Sequence, residues 1–230
     1  MAVKRSNKRF LLGIAVASVL PLSFYTIAKV LKKDQLNMPK HYVAERVNAP
    51  GDTVWHTVAD FAGVNQVGQS VSLNENLSGK IVAVSAFFAT CTDVCPKLNS
   101  NLALIQKAFR RTAQRANDTM VQLVSITTMP VQDSVPVLWN YAQQYKANPD
   151  HWWFIRGAKD ATNNYLRNEL KLSGGDGSGG ADDLMHSQTI VLLDRHRHIR
   201  GYYDGLDPAQ VKKCADDIVL LALEKDRRKP

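Results

Sequence analysis

The chain has 230 residues, of which 45% are hydrophobic and 22% charged, an ordinary composition for one globular domain with a short appendage. Its formal net charge of +8 at first suggests a nucleic-acid partner. However, seven of the 29 basic residues lie in residues 1–33, which contain no acid, so the rest of the chain has 22 basic residues against 21 acidic ones. That part is nearly neutral, which excludes the basic surface that nucleic-acid binding needs.

Residues 10–28 form an uncharged apolar run between basic residues, and these 19 residues approach the ~20 that cross a bilayer as a helix. Pro21 is tolerable in a membrane helix. A cleaved signal peptide is the alternative, but the run is long for one and Thr26-Ile27-Ala28 is a poor cleavage site. We therefore expect residues 1–31 to be a cytoplasmic stub and single-pass anchor in the cell (inner) membrane. The basic residues orient the body toward the periplasm or another extracytoplasmic space, where disulfides persist.

A polar segment with no periodicity, residues 32–50, is predicted to be a stalk. The domain that follows, residues 51–230, begins with two short strands joined by a turn. Next come strands that read as continuous apolar runs, alternating with helices whose apolar residues recur at helical spacing. The predicted elements of this half are strands at 56–61, 69–73, 81–89 and 120–127 and helices at 96–111 and 134–145.

The second half adds a short apolar strand, a helix, a hairpin and a final amphipathic helix. These are predicted at 152–155, 161–172, 187–194 with 199–203, and 207–226. The segment 173–184 is rich in glycine and predicts a mobile loop. Strands alternating with helices, followed by a closing hairpin and helix, predict an α/β fold of the thioredoxin-like type. Its central mixed sheet is flanked by helices and extended by an N-terminal β-hairpin, behind a single N-terminal transmembrane helix.

Two of the three cysteines stand in the segment Phe87–Pro96, FFATCTDVCP, where a buried strand is predicted to end. Cys91 follows that strand and Cys95 falls in the first turn of the next helix, where unpaired N–H groups and the helix dipole favour thiolate. A structural disulfide would close a loop too short to constrain the unfolded chain much. A reversible redox couple or a metal-binding pair explains the location better, and the residues alone leave both open.

A soft metal ion held by thiolates can also take an imidazole, so each of the six histidines is a candidate ligand. His186 stands apart, because it follows the glycine-rich segment and precedes a strand that neighbours the Cys91 strand in a thioredoxin-like fold. A flexible ligand there could approach two pre-placed thiols. The other histidines are predicted to lie in the stalk or at the surface, with a solvated turn favoured over a weak metal site for the last two: His41, His56, His151, His196 and His198.

From about residue 56 onward the chain resembles the SCO (SCO1/SenC) family of membrane-anchored copper proteins that help to assemble cytochrome c oxidase. The matching pieces are Asp60-Phe61, Val71–Leu73, Thr90–Pro96, Asp133-Ser134, His186-Ser187 and Ile199–Gly205. Together, the Cys-x-x-x-Cys-Pro pattern and a histidine about ninety residues later are fairly specific. The resemblance implies that Cys91, Cys95 and His186 bind one copper ion, as Cu(I) or Cu(II).

The resemblance further implies a metallochaperone that takes up copper and delivers it to the CuA centre of cytochrome c oxidase subunit II. Other copper chaperones or thiol reductants would be further partners. Three departures from the family pattern bear on redox tuning and partner choice more than on the copper site. Met129 and Met185 stand where the family commonly has Asp, and the turn 195–198 lacks the family's glycine. A thioether can bind copper, but packing is the more usual role of such a methionine.

Two enzymatic alternatives use the same cysteines. A thiol–disulfide oxidoreductase would use Cys91 and Cys95 to reduce the cysteines of an oxidase subunit, and the sequence does not exclude it. A peroxidase of the peroxiredoxin type would match Thr92-x-x-Cys95-Pro96, but Phe88 stands where its proline is expected. Cys214, on the last helix, is predicted to be a buried small residue.

Overall fold

The computed structural model describes residues 38–49, 52–116, 120–172 and 187–224, together with four isolated helical positions at residues 19, 21, 23 and 25. The chain divides into two units, Met1–Asn37 and Met38–Pro230. Most of the predicted anchor, the glycine-rich segment 173–184, Met185 and His186 lie outside the described residues. Among the helices that are described, none combines the length and apolarity that a bilayer crossing requires.

The second unit contains nine strands and five α-helices within its described residues. The strands are β1 Ala44–Ala49, β2 Asp52–Trp55, β3 Ala62–Asn65, β4 Ser70–Ser72, β5 Ile81–Phe87, β6 Val121–Thr127, β7 Trp152–Arg156, β8 Thr189–Leu193 and β9 Ile199–Asp204. The helices are α1 Leu73–Asn76, α2 Val94–Ala116, α3 Val135–Gln144, α4 Lys159–Asn164, which continues into a π-helical turn at Tyr165–Glu169, and α5 Pro208–Leu223.

Seven strands form one mixed sheet in the order β4-β3-β7-β6-β5-β8-β9. The central strands β5, β6 and β7 are parallel, while β3, β8 and β9 run antiparallel to their neighbours. Strands β1 and β2 form a separate two-stranded hairpin. This arrangement confirms the predicted thioredoxin-like α/β fold with a central mixed sheet.

Strand β5 lies between two apolar layers, which explains its uninterrupted run of buried residues. Ile81, Ala83 and Phe87 face the core beneath α2, α3 and α5, whereas Val82 and Val84 face the core beneath α1 and the π-helical turn. Alternation with a period of two therefore buries both sides of the strand. The cysteine segment begins at the carboxyl end of this buried strand.

The predicted strand at 56–61 is wrong, because the strand in this region is β3, Ala62–Asn65. Asp60, in the segment 58–61, instead binds the start of α1. Its carboxylate accepts hydrogen bonds from the Ser72 hydroxyl (2.7 Å) and the Asn74 N–H (2.8 Å). Gly63, predicted to lie in a turn, belongs to β3. A Cβ atom there would lie 2.5 Å from the Arg156 carbonyl oxygen, so glycine allows β3 to approach β7.

The segment predicted to be a stalk, residues 32–50, includes described residues, 38–49, that belong to the second unit and contact its closing hairpin. Strand β1 lies within it, and the Tyr42 N–H donates to the Ile199 carbonyl over 3.1 Å. The Pro39 carbonyl accepts two hydrogen bonds, of 2.7 and 3.1 Å, from the buried Arg200 guanidinium. Residues 38–49 are thereby fixed beside the closing hairpin, β8–β9.

Candidate metal and redox site

Cys91 and Cys95 lie on either side of the start of α2. Cys91 is in the loop that follows β5, and Cys95 is the second residue of the helix. The Cys95 N–H donates to the Cys91 sulfur over 3.3 Å, and the Cys91 N–H donates to the Phe88 carbonyl over 3.2 Å. The structure thus confirms that the loop brings the two cysteines together at a helix N-terminus.

The two thiols have different environments. Cys91 is partly exposed, whereas Cys95 is buried with 1% of its surface accessible, and both are free thiols. Burial raises the pKa of Cys91, but hydrogen bonds from the Cys95 thiol and from the N–H groups of Cys95, Asp93 and Val94 outweigh it and lower that pKa. Burial and the hydrogen bond to Cys91 raise the pKa of Cys95 to about 12. The sequence predicted thiolate character for the pair, and the structure assigns it to Cys91.

The cysteine loop is attached to β6 and α3 through Asp133. This buried carboxylate accepts hydrogen bonds from the Ala89 N–H (3.1 Å) and from the Thr127 hydroxyl. Alongside it, the Thr128 N–H donates to the Phe87 carbonyl over 2.8 Å. Sequence reasoning noted Asp133 only at the opening of α3. Its role as an anchor depends on a partner 44 residues away, for which no local pattern exists.

Two tyrosines, Tyr141 in α3 and Tyr145 directly after it, border the cysteines. Tyr141 stacks on Phe87 with ring centroids 5.2 Å apart, and its hydroxyl accepts a hydrogen bond of 3.0 Å from the Asn99 amide. Burial, together with charge on Cys95 and Cys91, raises the pKa of Tyr145, which keeps that hydroxyl protonated. Sequence reasoning missed these residues, since their spacing marks only the apolar face of a helix.

His186, the predicted third ligand, lies outside the described residues, as does Met185. The described strand that follows it is β8, which pairs antiparallel with β5 through Ser85 and Ile190. Thr189 thus begins β8 beside the carboxyl end of β5, from which the cysteine loop leaves. The prediction that β5 and β8 are neighbours is confirmed. The ligand role of His186 stays a prediction.

Two other sulfur-containing residues, Cys214 and Met129, lie in the core and in the loop after β6. Cys214 is fully buried in the core beneath α2 and α5, and burial together with Asp217 raises its pKa to about 12. Met129 is half-buried in the loop after β6, where its N–H donates to Thr127 and its carbonyl accepts from the Asp133 N–H. The buried position predicted for Cys214 is therefore confirmed.

The described histidines are not gathered at the cysteines. The His56 Nε2 atom lies 3.3 Å from Glu169, and His151 lies in the turn before β7. His196 is exposed, in agreement with a solvated turn, but the same prediction for His198 is wrong. His198 is buried and faces Asp194 and His41 at the opposite end of β8.

The comparisons with known proteins agree with this fold. A model of the SCO1/SenC family matches residues 51–221, which is most of the chain. The chain belongs to the SCO1/SenC family. It is also 22% identical over 167 residues to the SCO1 protein homolog of Bacillus subtilis (strain 168), covering 73% of this chain and 83% of that protein.

Two solved structures show the same fold. BsSco, described as having a disulfide switch and as a member of the Sco family of cytochrome c oxidase assembly proteins, superposes with a TM-score of 0.59 at 22% identity, covering 75% of this chain and 98% of its own. Yeast Sco1 with copper bound superposes with a TM-score of 0.55 at 21% identity, covering 75% of this chain and 96% of its own. The membership rests on the family model, and the structures confirm the fold.

Proposed function

We propose that this SCO1/SenC chain binds copper through Cys91, Cys95 and His186 and delivers it during assembly of cytochrome c oxidase. The observation that carries the proposal is the paired thiols at the start of α2. Cys91 is partly exposed with a lowered pKa, and Cys95 lies directly beside it with a backbone N–H on the Cys91 sulfur. Two adjacent soft sulfur donors suit Cu(I).

The recipient in this proposal is the CuA centre of oxidase subunit II, with other copper chaperones or thiol reductants as further partners. Support comes from the family membership, from copper bound to yeast Sco1, and from the description of BsSco as an oxidase assembly protein. An ion held near the surface by Cys91 can be passed on, whereas the buried Cys95 fixes the site to the domain.

The test is copper binding at the cysteine site of the reduced full chain, in which one Cu(I) per chain is expected. Cys91→Ser or Cys95→Ser should abolish tight Cu(I) binding, and Cys214→Ser is the matched control that keeps it, because Cys214 lies fully buried in the core. His186→Ala should keep an oxidisable Cys91–Cys95 pair, lose Cu(II) from the cysteine site, retain Cu(I) less well and fail to support oxidase assembly, since Cu(II) prefers nitrogen alongside sulfur.

A second candidate function, thiol–disulfide exchange, is favoured by the difference between the two thiols. Cys91 has the lowered pKa of an attacking thiolate, and the protonated Cys95 beside it can resolve a mixed disulfide once it loses its proton. BsSco is described as having a disulfide switch. Wild-type assembly of a copper-replete oxidase by His186→Ala would overturn the carrier proposal and leave this function as the better account.

We further propose that the apolar residues 10–28 anchor the chain by a single pass, with the domain outside the cytoplasm. The basic residues around the run and its length of 19 residues support this. The expected result is retention in the membrane fraction after a carbonate wash, with residues 1–31 intact. A mature protein that begins near Lys29 and is free in the extracytoplasmic fraction would contradict the anchor.

A further inference from the structure

A second cluster of metal-binding side chains lies far from the cysteines. His41, Asp194 and His198 each offer a ligand atom, and these atoms all lie within 4.8 Å of one another. Asp194 follows β8, whose Leu193 pairs with Val82 near the beginning of β5, whereas Cys91 follows the end of β5. At about 3.3 Å per residue, the five residues from Val82 to Phe87 separate the two places by roughly 17 Å.

The Asp194 carboxylate is held in place by hydrogen bonds. Its Oδ1 atom accepts from the N–H groups of His196 (2.8 Å) and His198 (3.0 Å). Its Oδ2 atom lies 3.0 Å from an Arg200 nitrogen, 3.5 Å from Nδ1 of His198 and 4.0 Å from Nε2 of His41. These donors fix the orientation of the carboxylate. A carboxylate oriented by neighbouring donors is a prepared metal ligand.

The two imidazoles are oriented as well. The His41 ring stacks on Trp55 with centroids 5.0 Å apart and an interplanar angle of 18°. The His198 ring meets His41 edge-on at 5.3 Å. The His198 side chain is 11% exposed and that of His41 30%, in an open pocket that the exposed His196 and Met38 also line. Solvent and ions can therefore enter the cluster on the His41 side.

The charges around the cluster tolerate a cation. Arg200 binds Glu224 (2.8 Å) as well as Asp194, so two carboxylates face one guanidinium. A second guanidinium, Arg195, donates to the carbonyls of Leu221 (2.9 Å) and Ala222 (3.1 Å) at the end of α5, where the helix dipole is negative. Each arginine thus has an anionic or carbonyl partner. The Oδ2 atom of Asp194, nearest the imidazoles, already accepts from Arg200 over 3.0 Å and would bind an ion through its remaining lone pair, while Glu224 stays bound to Arg200.

We propose that His41, Asp194 and His198 form a second metal site, which takes a divalent transition metal ion and is independent of the cysteine site. Two imidazoles and one carboxylate are borderline donors that suit Zn(II) and Cu(II), and the Irving–Williams order places Cu(II) as the tighter of the two. With no thiolate in the set, Cu(I) is disfavoured here. The second site would then hold Cu(II) but not Cu(I), whereas the cysteine site would take both oxidation states.

The test uses the full chain without a histidine tag, in which Cys91→Ser, Cys95→Ser and His186→Ala remove the first site. Dialysis against micromolar Cu(II) or Zn(II) should leave one ion per chain, and the Cu(II) electron paramagnetic resonance spectrum should show nitrogen coupling. Adding His41→Asn or His198→Asn should weaken binding at least about tenfold, as the loss of a direct ligand costs no less than that of an outer-shell partner.

The matched control is His151→Asn, which removes an imidazole from a turn on another part of the domain and should leave binding unchanged. Thermal unfolding of each variant shows whether it is folded. If His198→Asn does not fold, the effect of His41→Asn on metal binding provides the test, because His41 is partly exposed and its replacement should not disturb the core. Failure of the background chain to hold a stoichiometric ion, or binding that survives His41→Asn undiminished, would overturn the site.

Discussion

Cys91 and Cys95 have different roles at the site, one in contact with solvent and one buried. The Cys91 sulfur accepts hydrogen bonds at the start of α2 and lies partly in solvent, so it is the one that meets a partner. Cys95 is buried and donates to Cys91, so it remains protonated until an ion or a disulfide replaces its proton. A copper ion or a partner thiol can therefore reach Cys91 first, and Cys95 then completes the copper site or the disulfide.

This difference predicts the pH dependence of alkylation. The thiolate is the reactive form, so Cys91 should react with iodoacetamide with a midpoint below the ordinary thiol pKa, while Cys95 should not react fully until about pH 12. Cys95→Ala removes the thiol hydrogen bond that lowers the pKa of Cys91, so the Cys91 midpoint should move upward. Mass spectrometry of the labelled peptides distinguishes the two cysteines. Equal labelling of both at pH 8 would contradict the assignment.

The cysteine pair could be predicted because its pattern is local, a strand end followed by a helix start within ten residues. The difference between the thiols could not, because burial of Cys95 and attachment of the loop to Asp133 depend on how β5, β6 and α3 pack. The cluster of His41 with Asp194 and His198 was likewise invisible, since His41 joins it from a part of the chain more than 150 residues earlier.

At the scale of elements, the turn between β8 and β9 is held by an arginine rather than a glycine. Arg197 adopts a left-handed conformation with a φ of 66° and is buried. Its guanidinium donates to the carbonyls of Leu73 (2.7 Å), the first residue of α1, and of Leu77 (2.5 Å) and Lys80 (3.0 Å), which follow the helix. The turn thus supplies donors to carbonyls in and after this short helix.

Arg197→Gly should therefore destabilise the protein, although glycine relieves the left-handed backbone. The lost charged hydrogen bonds outweigh that relief, with an expected net loss of about 2 kcal/mol in the free energy of unfolding. Lys146→Gly is the matched control, because exposed Lys146 has a φ of 52° just after α3. It should be neutral or stabilise by up to about 1 kcal/mol. Chemical denaturation measures both, and a gain in stability from Arg197→Gly would refute the role of the guanidinium.

The elements that were predicted well are those whose burial follows a regular pattern. Every residue of β5 is buried, so the apolar run 81–89 indicated a central strand, and helical spacing indicated α2 and α5 in the same way. Strand β3 was missed because Gly63 resembles a turn residue until its contact with Arg156 is seen. The helix predicted at 161–172 is interrupted by a π-helical turn, in which the buried Tyr165 and Leu166 pack on the core beneath the sheet.

At the scale of the whole domain, the sheet separates two ends with different chemistry. The loop after β5, at the start of α2, carries the two sulfur donors, and the surroundings of the β8–β9 turn carry imidazoles, carboxylates and three arginines, Arg195, Arg197 and Arg200. Strand β9 runs between these ends, from Ile199 beside the turn to Asp204 beside α2. The five residue steps of this strand span roughly 17 Å at about 3.3 Å per residue, and Arg197 and Gly205 lie just beyond its opposite ends.

The two ends should contribute to stability independently, which a double-mutant cycle of Arg197→Gly and Gly205→Ala can test. A Cβ atom at Gly205 would lie 2.0 Å from the Leu98 side chain and 2.9 Å from the Gln188 carbonyl, so Gly205→Ala alone should cost about 1–3 kcal/mol. Because the sites share no partners, their effects should add to within about 0.5 kcal/mol.

Since Leu98 and Cys95 belong to the same helix, Gly205→Ala should also change the alkylation of Cys91, whereas Arg197→Gly should not. Coupling well above that limit, or altered alkylation in Arg197→Gly, would mean instead that the sheet transmits changes from the turn to the cysteines.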